Sequence, residues 1–224
     1  VVRNRTQVTR ELIEAAPNLK VIARAGVGLD NIDVKAADEN GVVVAAALGI
    51  NAVAVAEETL AMALSISRKV VELDASTRAG EWNRKAGVEI SRKTWGLLGF
   101  GATARATAEL LQGFKCTILA YDPFAKPDAQ YLTSINATMA SLNDVVSQSD
   151  FISVHLPATA ETKNIINAGL LATMKKSAVI ISVGRGEVIN ESDLEAALTS
   201  GVIAGAGLDV RAQEPPQDKR FTHL

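Results

Sequence analysis

Short apolar runs of strand type alternate with alanine- and leucine-rich stretches of helical period along most of this chain. That alternation restricts it to βαβ units built around a buried parallel sheet. Residues 19–25, 42–46, 95–98, 116–121, 151–155, 179–182 and 205–210 read as strands. Residues 34–39 read as a short helix opened by Asp33 and closed near Gly41, and 102–111, 142–148 and 191–200 as further helices. From 53 to 78 the period is that of one long helix, with Leu60, Leu64 and Val71 on one side and Gly80 ending it. Ser192 and Glu195 have the spacing of a capping box, and Gly201 stands where a C-terminal glycine cap belongs. The expected fold is α/β: a doubly wound parallel sheet over 51–224, incomplete at its C-terminal end, preceded by part of another unit in 1–50. All strands of such a sheet end at one rim, and ligands bind there.

With 224 residues, 48% of them hydrophobic, the chain has ample material for a core. Lysine and arginine total 23 against 25 acidic residues, a net charge of −2, so the sequence carries no electrostatic footprint for nucleic acid or an anionic membrane surface. A small-molecule partner is expected instead. The apolar stretches, such as 42–50, fall well short of the roughly 20 residues a membrane span needs. Val1-Val2-Arg3-Asn4 shows neither a basic leader nor an apolar signal core, so no targeting segment is expected. The one cysteine, Cys116, lies in an apolar run and reads as a buried small hydrophobe, in keeping with a reducing cytoplasm. One cysteine and two histidines without ligand spacing make no metal site.

The sharpest local signal is Gly99-Phe100-Gly101-Ala102-Thr103-Ala104, set between an apolar strand and an alanine-rich helix. This is the context a dinucleotide fingerprint requires. Gly99 permits the tight turn, Gly101 lets backbone approach a pyrophosphate, and Ala104 allows close helix packing. The helix N-terminus offers amides and a positive dipole to the phosphates. About twenty residues on, Asp122 ends the next strand, where the fingerprint places a carboxylate for the ribose hydroxyls, so NAD is expected rather than NADP. Taken alone, Asp122 before Pro123 equally starts a turn.

Ser182-Val183-Gly184-Arg185-Gly186 follows a buried strand and puts an arginine between two glycines at the ligand rim. A guanidinium there can hold a carboxylate bidentately and polarise an adjacent carbonyl. On these residues alone the default remains a loop arginine. Asp209 ends the last strand and Glu214 precedes Pro215-Pro216, so two carboxylates come to the same rim. Such loop carboxylates are usually just solvated.

The run Gly184-Arg185-Gly186-Glu187-Val188-Ile189-Asn190-Glu191, followed by Leu194, Leu198, Gly201, Ala204-Gly205-Ala206, Leu208-Asp209-Val210 and Glu214-Pro215, resembles the signature of the D-isomer-specific 2-hydroxyacid dehydrogenases. Near the start, Arg24-Ala25-Gly26-Val27-Gly28-Leu29-Asp30-Asn31 resembles the phosphoglycerate dehydrogenase branch. The resemblance implies a Rossmann cofactor domain and part of a flavodoxin-like substrate domain, joined by long crossing helices, the first of which 53–78 resembles. By position, Arg185 resembles the arginine that holds the 2-oxoacid, and Glu214 the acid that hydrogen-bonds a catalytic histidine. Gly99, Gly101, Ala102, Thr103, Asp122, His155, Val183, Gly184, Arg185 and Asp209 are the implied NAD contacts. Arg24, Gly26, Val27 and Gly28 resemble the loop that meets the substrate carboxylate, and Arg84 a phosphate contact.

In the family a histidine protonates the carbonyl oxygen while hydride arrives from the nicotinamide. Imidazole suits this work because its pKa lies near working pH, and a neighbouring glutamate favours its charged form. The resemblance puts that histidine beyond Leu224. His155 resembles a different position beside the cofactor, and His223 the loop before the last strand. Two departures stand out: the usual arginine-isoleucine pair is Ala102-Thr103, and the threonine-proline lead into the crossing helix is Ala47-Leu48-Gly49-Ile50. The implied function is interconversion of a D-2-hydroxyacid and a 2-oxoacid with NAD, phosphoglycerate dehydrogenase-like, by a homodimer or homotetramer. Alternatives are a hydroxypyruvate or glyoxylate reductase, an NAD-sensing corepressor-like binding protein, or an inactive fragment.

Overall fold

The structure, a computed structural model, describes residues 1–3 and 5–222. It divides into two compact units, Val1–Ala52 and Val53–Leu224. The first contains helix α1 (Arg10–Glu14), strand β1 (Val21–Arg24), helix α2 (Val34–Glu39) and strand β2 (Val43–Ala46). β1 and β2 pair in parallel with Val21 opposite Val43, over a small core of Val8, Ile13, Ile22, Ile32, Ala36, Ala37 and Val42. Asp33 caps α2 by accepting from the amide of Ala36, and Gly41 follows the helix at φ +66°. Both ends fall where side-chain chemistry placed them.

The second unit opens with α3 (Ala52–Ser67) and α4 (Val70–Arg78). Then come β3 (Thr94–Leu98), α5 (Ala102–Leu111), β4 (Thr117–Tyr121), α6 (Ala129–Ser134), β5 (Ala137–Met139) and α7 (Leu142–Gln148). β6 (Phe151–Val154), α8 (Ala168–Leu171), β7 (Val179–Ser182), α9 (Glu191–Thr199) and β8 (Gly205–Leu208) complete it. The six strands form one parallel sheet in the order β5-β4-β3-β6-β7-β8. The chain runs outward from β3 through β4 to β5, then returns to the centre at β6 and runs outward the other way. This doubly wound order opens a crevice at the carboxyl ends of β3 and β6. Helices cover both faces. Leu60 and Ala63 of α3 and Ala104, Ala108 and Leu111 of α5 pack on one side; Val145, Val146, Leu171, Leu194 and Ala197 of α7 to α9 pack on the other. No helix among the described residues is long and apolar enough to cross a membrane.

Two local expectations are corrected. The helix expected over 53–78 is broken at Lys69, which takes a left-handed φ of 56°. The cause is distant in sequence: the carbonyl of Ser67 accepts from the amide of Val88 at 2.8 Å, and Gly87 lies so close that a Cβ there would stand 2.8 Å from the same oxygen. The returning strap thus takes the carbonyl that the next helical turn would have used. The Ser192–Glu195 capping box does not form either. Asn190 caps α9 instead, accepting from Ser192 N at 3.1 Å and Asp193 N at 3.2 Å, and the helix starts at Glu191, where its period places it. At the C-terminus of α9 the expectation holds, with Gly201 at φ +67°.

The centre of the sheet leaves almost no room. A Cβ on Gly96 of β3 would stand 2.6 Å from Ser149 Oγ and 2.8 Å from Val145 Cγ1, both on or just after α7. Gly96→Ala is therefore expected to destabilise the protein by ~1–3 kcal/mol, the usual cost of overpacking a dense core. Urea unfolding of the variant checks this. An unchanged midpoint would mean that α7 moves off β3 without cost.

Candidate functional site

The carboxyl rim of the sheet gathers most of the residues singled out above. Gly99 leaves β3 at φ +90°, a conformation other residues seldom adopt, and its amide donates to Tyr121 O at 2.8 Å. Phe100 N donates to Asp122 Oδ2 at 2.9 Å, so the carboxylate at the end of β4 staples the glycine turn. Asp122 Oδ1 accepts from Phe124 N at 2.9 Å and Ala125 N at 3.0 Å. The residue thus starts a turn and braces the fingerprint loop at once. Gly101 caps α5 without any side-chain hydrogen bond, and a Cβ there would meet nothing within 4 Å. Open space, first-turn amides free of a capping side chain and a nearby carboxylate fit a dinucleotide: diphosphate at the helix N-terminus, ribose at Asp122. Ala102 and Thr103 form the first turn of that helix.

His155 follows β6 and is held between two hydroxyls, with Nδ1 3.0 Å from Thr103 Oγ1 and Nε2 2.9 Å from Ser153 Oγ. Ser153 Oγ also accepts from Trp95 Nε1 at 2.9 Å. Burial lowers the imidazole pKa to about 3, so His155 is neutral at physiological pH.

On the other side of the crevice the loops pack backbone against backbone. A Cβ on Gly184 would stand 2.5 Å from Leu156 O, and one on Gly186 2.0 Å from the carbonyl carbon of Arg211. Only glycines on both sides of Arg185 allow this approach. Val183 is buried, Arg185 NH1 donates to Gly184 O at 2.9 Å, and Asp209 N donates to Ser182 O at 2.9 Å. Glu214 is exposed, and its Oε1 accepts from Arg211 N at 3.0 Å.

Sequence reasoning missed the residue that ties this loop down. Arg211 makes a bidentate pair with Glu191, Nε and NH2 each 2.9 Å from a carboxylate oxygen; it also reaches Asp218 at 3.2 Å and stands over the ring of Phe221. Ala212 N adds a bond to Glu191 Oε1 at 2.8 Å. The Arg211 guanidinium holds the Glu191 carboxyl below its usual pKa, and Glu191 raises that of Arg211 in return. Ser153 was also missed. Its signal was present: one hydroxyl in the otherwise apolar run Phe151-Ile152-Ser153-Val154.

In the first unit, the guanidinium of Arg24 folds back over its own loop, Nε donating to Gly28 O at 3.0 Å and NH1 to Ala25 O at 2.9 Å. Gly26, Val27 and Gly28 form the bend it braces. Arg84, in the second unit, lies 6.0 Å from the ring centroid of the exposed Trp82. Cys116 is buried, with Sγ donating to Ile90 O at 3.3 Å. His223 lies outside the described residues.

The sequence model of the family described as D-isomer specific 2-hydroxyacid dehydrogenase, NAD binding domain, matches residues 60–224. The chain is 40% identical over 226 residues to D-3-phosphoglycerate dehydrogenase of Methanocaldococcus jannaschii, covering 100% of this chain and 43% of that protein. It is 42% identical over 221 residues to hydroxypyruvate reductase of Thermotoga maritima, covering 98% of this chain and 71% of that protein. Among solved structures, the holo form of D-mandelate dehydrogenase from Rhodotorula graminis superposes with a TM-score of 0.91 at 30% identity, over 98% of this chain and 67% of that one. The chain thus spans less than half the length of the M. jannaschii dehydrogenase it matches.

The enclosed imidazole makes a prediction of its own. Unfolding returns His155 from a pKa of about 3 to about 6.5, so the unfolded chain binds the extra proton first and stability falls as pH drops from 6.5 toward 3. The loss attributable to this group is about 2–3 kcal/mol between pH 7 and pH 4.5, at about 1.4 kcal/mol per unit. Urea midpoints of the parent and of His155→Gln, measured across this range, should converge as pH falls. Parallel profiles would mean that the ring is protonated in the folded protein.

Proposed function

This chain belongs to the D-isomer-specific 2-hydroxyacid dehydrogenase family, and on that premise we propose that it supplies the NAD-binding part of an oxidoreductase interconverting a D-2-hydroxyacid and a 2-oxoacid, phosphoglycerate dehydrogenase-like in substrate class. The observation that carries the reading is the staple of Phe100 N on Asp122 Oδ2: it fixes a carboxylate beside an uncapped helix N-terminus at the carboxyl rim of a doubly wound sheet. Bound there, the nicotinamide supplies or accepts the hydride. The chain's own groups bind and orient. Amides of the first turn of α5, with Gly99, Gly101, Ala102 and Thr103 around them, hold the diphosphate, and Asp122 takes the adenosine ribose hydroxyls. His155, Val183, Gly184 and Asp209 flank the remainder of the dinucleotide. Arg185 holds the substrate carboxylate and stabilises negative charge developing on the carbonyl oxygen. Glu214 orients the imidazole that serves as general acid. In the part of the substrate domain formed by residues 1–50, Arg24 with Gly26, Val27 and Gly28 is the proposed substrate-binding loop. His155 is not the acid in this scheme, since both its nitrogens are engaged and it stays neutral at physiological pH.

Hydroxypyruvate or glyoxylate is the second substrate reading, favoured by the likeness to the T. maritima hydroxypyruvate reductase, of which the chain covers the larger share. Phosphoglycerate oxidation would place the protein in serine biosynthesis, and the buried free thiol of Cys116 accords with a cytoplasmic setting. A homodimer is the proposed assembly. Val71 and Trp82, 71% and 78% exposed, stand on α4 and on the strap after it, and tryptophan is enriched among the anchors of interfaces.

Two measurements test these proposals. Fluorescence titration should give tighter binding of NADH than of NADPH, and Asp122→Ala should weaken NADH by roughly 10-fold or more, the worth of hydrogen bonds to a charged group, while leaving NADPH less affected. Equal affinities in the parent, or an unchanged preference in the variant, would remove Asp122 from the ribose site. Sedimentation velocity should show a dimer that Trp82→Asp shifts toward monomer. A parent that sediments as a monomer at tens of micromolar would overturn that assembly.

A further inference from the structure

Four side chains form an unbroken hydrogen-bonded chain from the middle of the sheet to the first turn of α5: Trp95, Ser153, His155 and Thr103. Trp95 and Ser153 are completely buried, and Thr103 is partly exposed at the rim. The direction of the chain follows from the donors. An indole N–H can only donate, so Ser153 Oγ accepts it. The hydroxyl proton of Ser153 then has a single acceptor among its partners, His155 Nε2 at 2.9 Å. That nitrogen therefore carries no hydrogen, and the proton of the neutral ring sits on Nδ1, from which it is donated to Thr103 Oγ1 at 3.0 Å. The inner side of the Thr103 hydroxyl is thus occupied as an acceptor, and its own proton has no acceptor among the described residues. Thr103 stands two residues after Gly101, in front of which the space is open. Ala102, where the family carries arginine, offers no side-chain donor.

We infer that the Trp95–Ser153–His155–Thr103 chain aims the Thr103 hydroxyl outward as a fixed, uncharged donor to a diphosphate oxygen of the bound dinucleotide. Ser153 and His155 are positioning residues for it. The inference rests on the cofactor reading above and deepens it. The proton of a threonine hydroxyl otherwise rotates freely about the Cβ–Oγ1 bond. With its oxygen already accepting from an imidazole, the proton is directed away from the ring.

Long-range proton–nitrogen correlation spectra of the free protein test the direction of the chain. Two histidines are present, and His155→Gln assigns the signal by its loss. The expected state at neutral pH is the neutral ring protonated on Nδ1, with that preference lost in Ser153→Ala. NADH titration tests the consequence. Thr103→Val should bind roughly 10-fold or more weakly, Thr103→Ser within about twofold of the parent, and Ser153→Ala several-fold weaker. An imidazole protonated on Nε2, or Thr103→Val binding NADH as the parent does, overturns the inference while leaving the cofactor reading intact. A parent that binds no NADH overturns the cofactor reading, and the role of Thr103 with it.

Discussion

The reversal of strand order between β3 and β6 is the constraint on which the remainder of the site depends. Because β3 connects outward to β4 on one side and β6 to β7 on the other, no crossover covers the carboxyl ends of the central pair. The end of β3 is tied to its neighbours on both sides, to β6 by His155 N donating to Leu98 O at 2.7 Å and to β4 by Gly99 N donating to Tyr121 O at 2.8 Å. This fixes three loops in one place. Gly99 lies so close to the His155 backbone that a Cβ there would stand 3.1 Å from its carbonyl carbon. Thr103, Asp122 and His155 come together because the strands that carry them are neighbours at the centre of the sheet.

The sheet treats its two rims differently. At the amino end, Asp150 accepts from Thr94 N and from Lys175 Nζ, each at 2.9 Å, so charge and backbone are matched within the protein. At the carboxyl end, polar groups are braced but keep capacity to spare. Asp122 has both oxygens engaged by amides and retains lone pairs; the first turn of α5 has no capping side chain; on the tautomer inferred above, the Thr103 hydroxyl keeps its proton for a ligand. Unused capacity held rigidly is what a binding site requires, since the ordering cost is met on folding rather than on binding.

Much of this was legible in sequence because it depends on local chemistry. The boundaries of α2, α5, α7 and β7 follow from period, capping residues and glycine, and the fingerprint loop follows from spacing. What escaped depends on residues far apart in the chain. The break at Lys69 is made by Gly87 and Val88, and the partner of Glu191 at the start of α9 is Arg211, twenty residues on. β5 is a three-residue edge strand, too short for any period to register. Nor does sequence alone give Ser153 a partner. Its hydroxyl was visible as an oddity in an apolar strand, whereas its bond to Trp95 exists only because β3 and β6 pair in one register.

The ion pair of Arg211 and Glu191 shows the same dependence of chemistry on packing. Both side chains are largely withdrawn from water, 18% and 9% exposed, and the desolvation of such pairs offsets much of their attraction. Their contribution is better sought in geometry than in net stability. The bidentate contact, with Ala212 N on the same carboxylate, fixes the turn after β8 to the start of α9. The backbone of that turn is the surface against which Gly186 packs, and the amide of Arg211 holds the carboxylate of Glu214. A neutral residue at 211 could fill the space, but it would leave the loops bearing Arg185 and Glu214 without a common anchor.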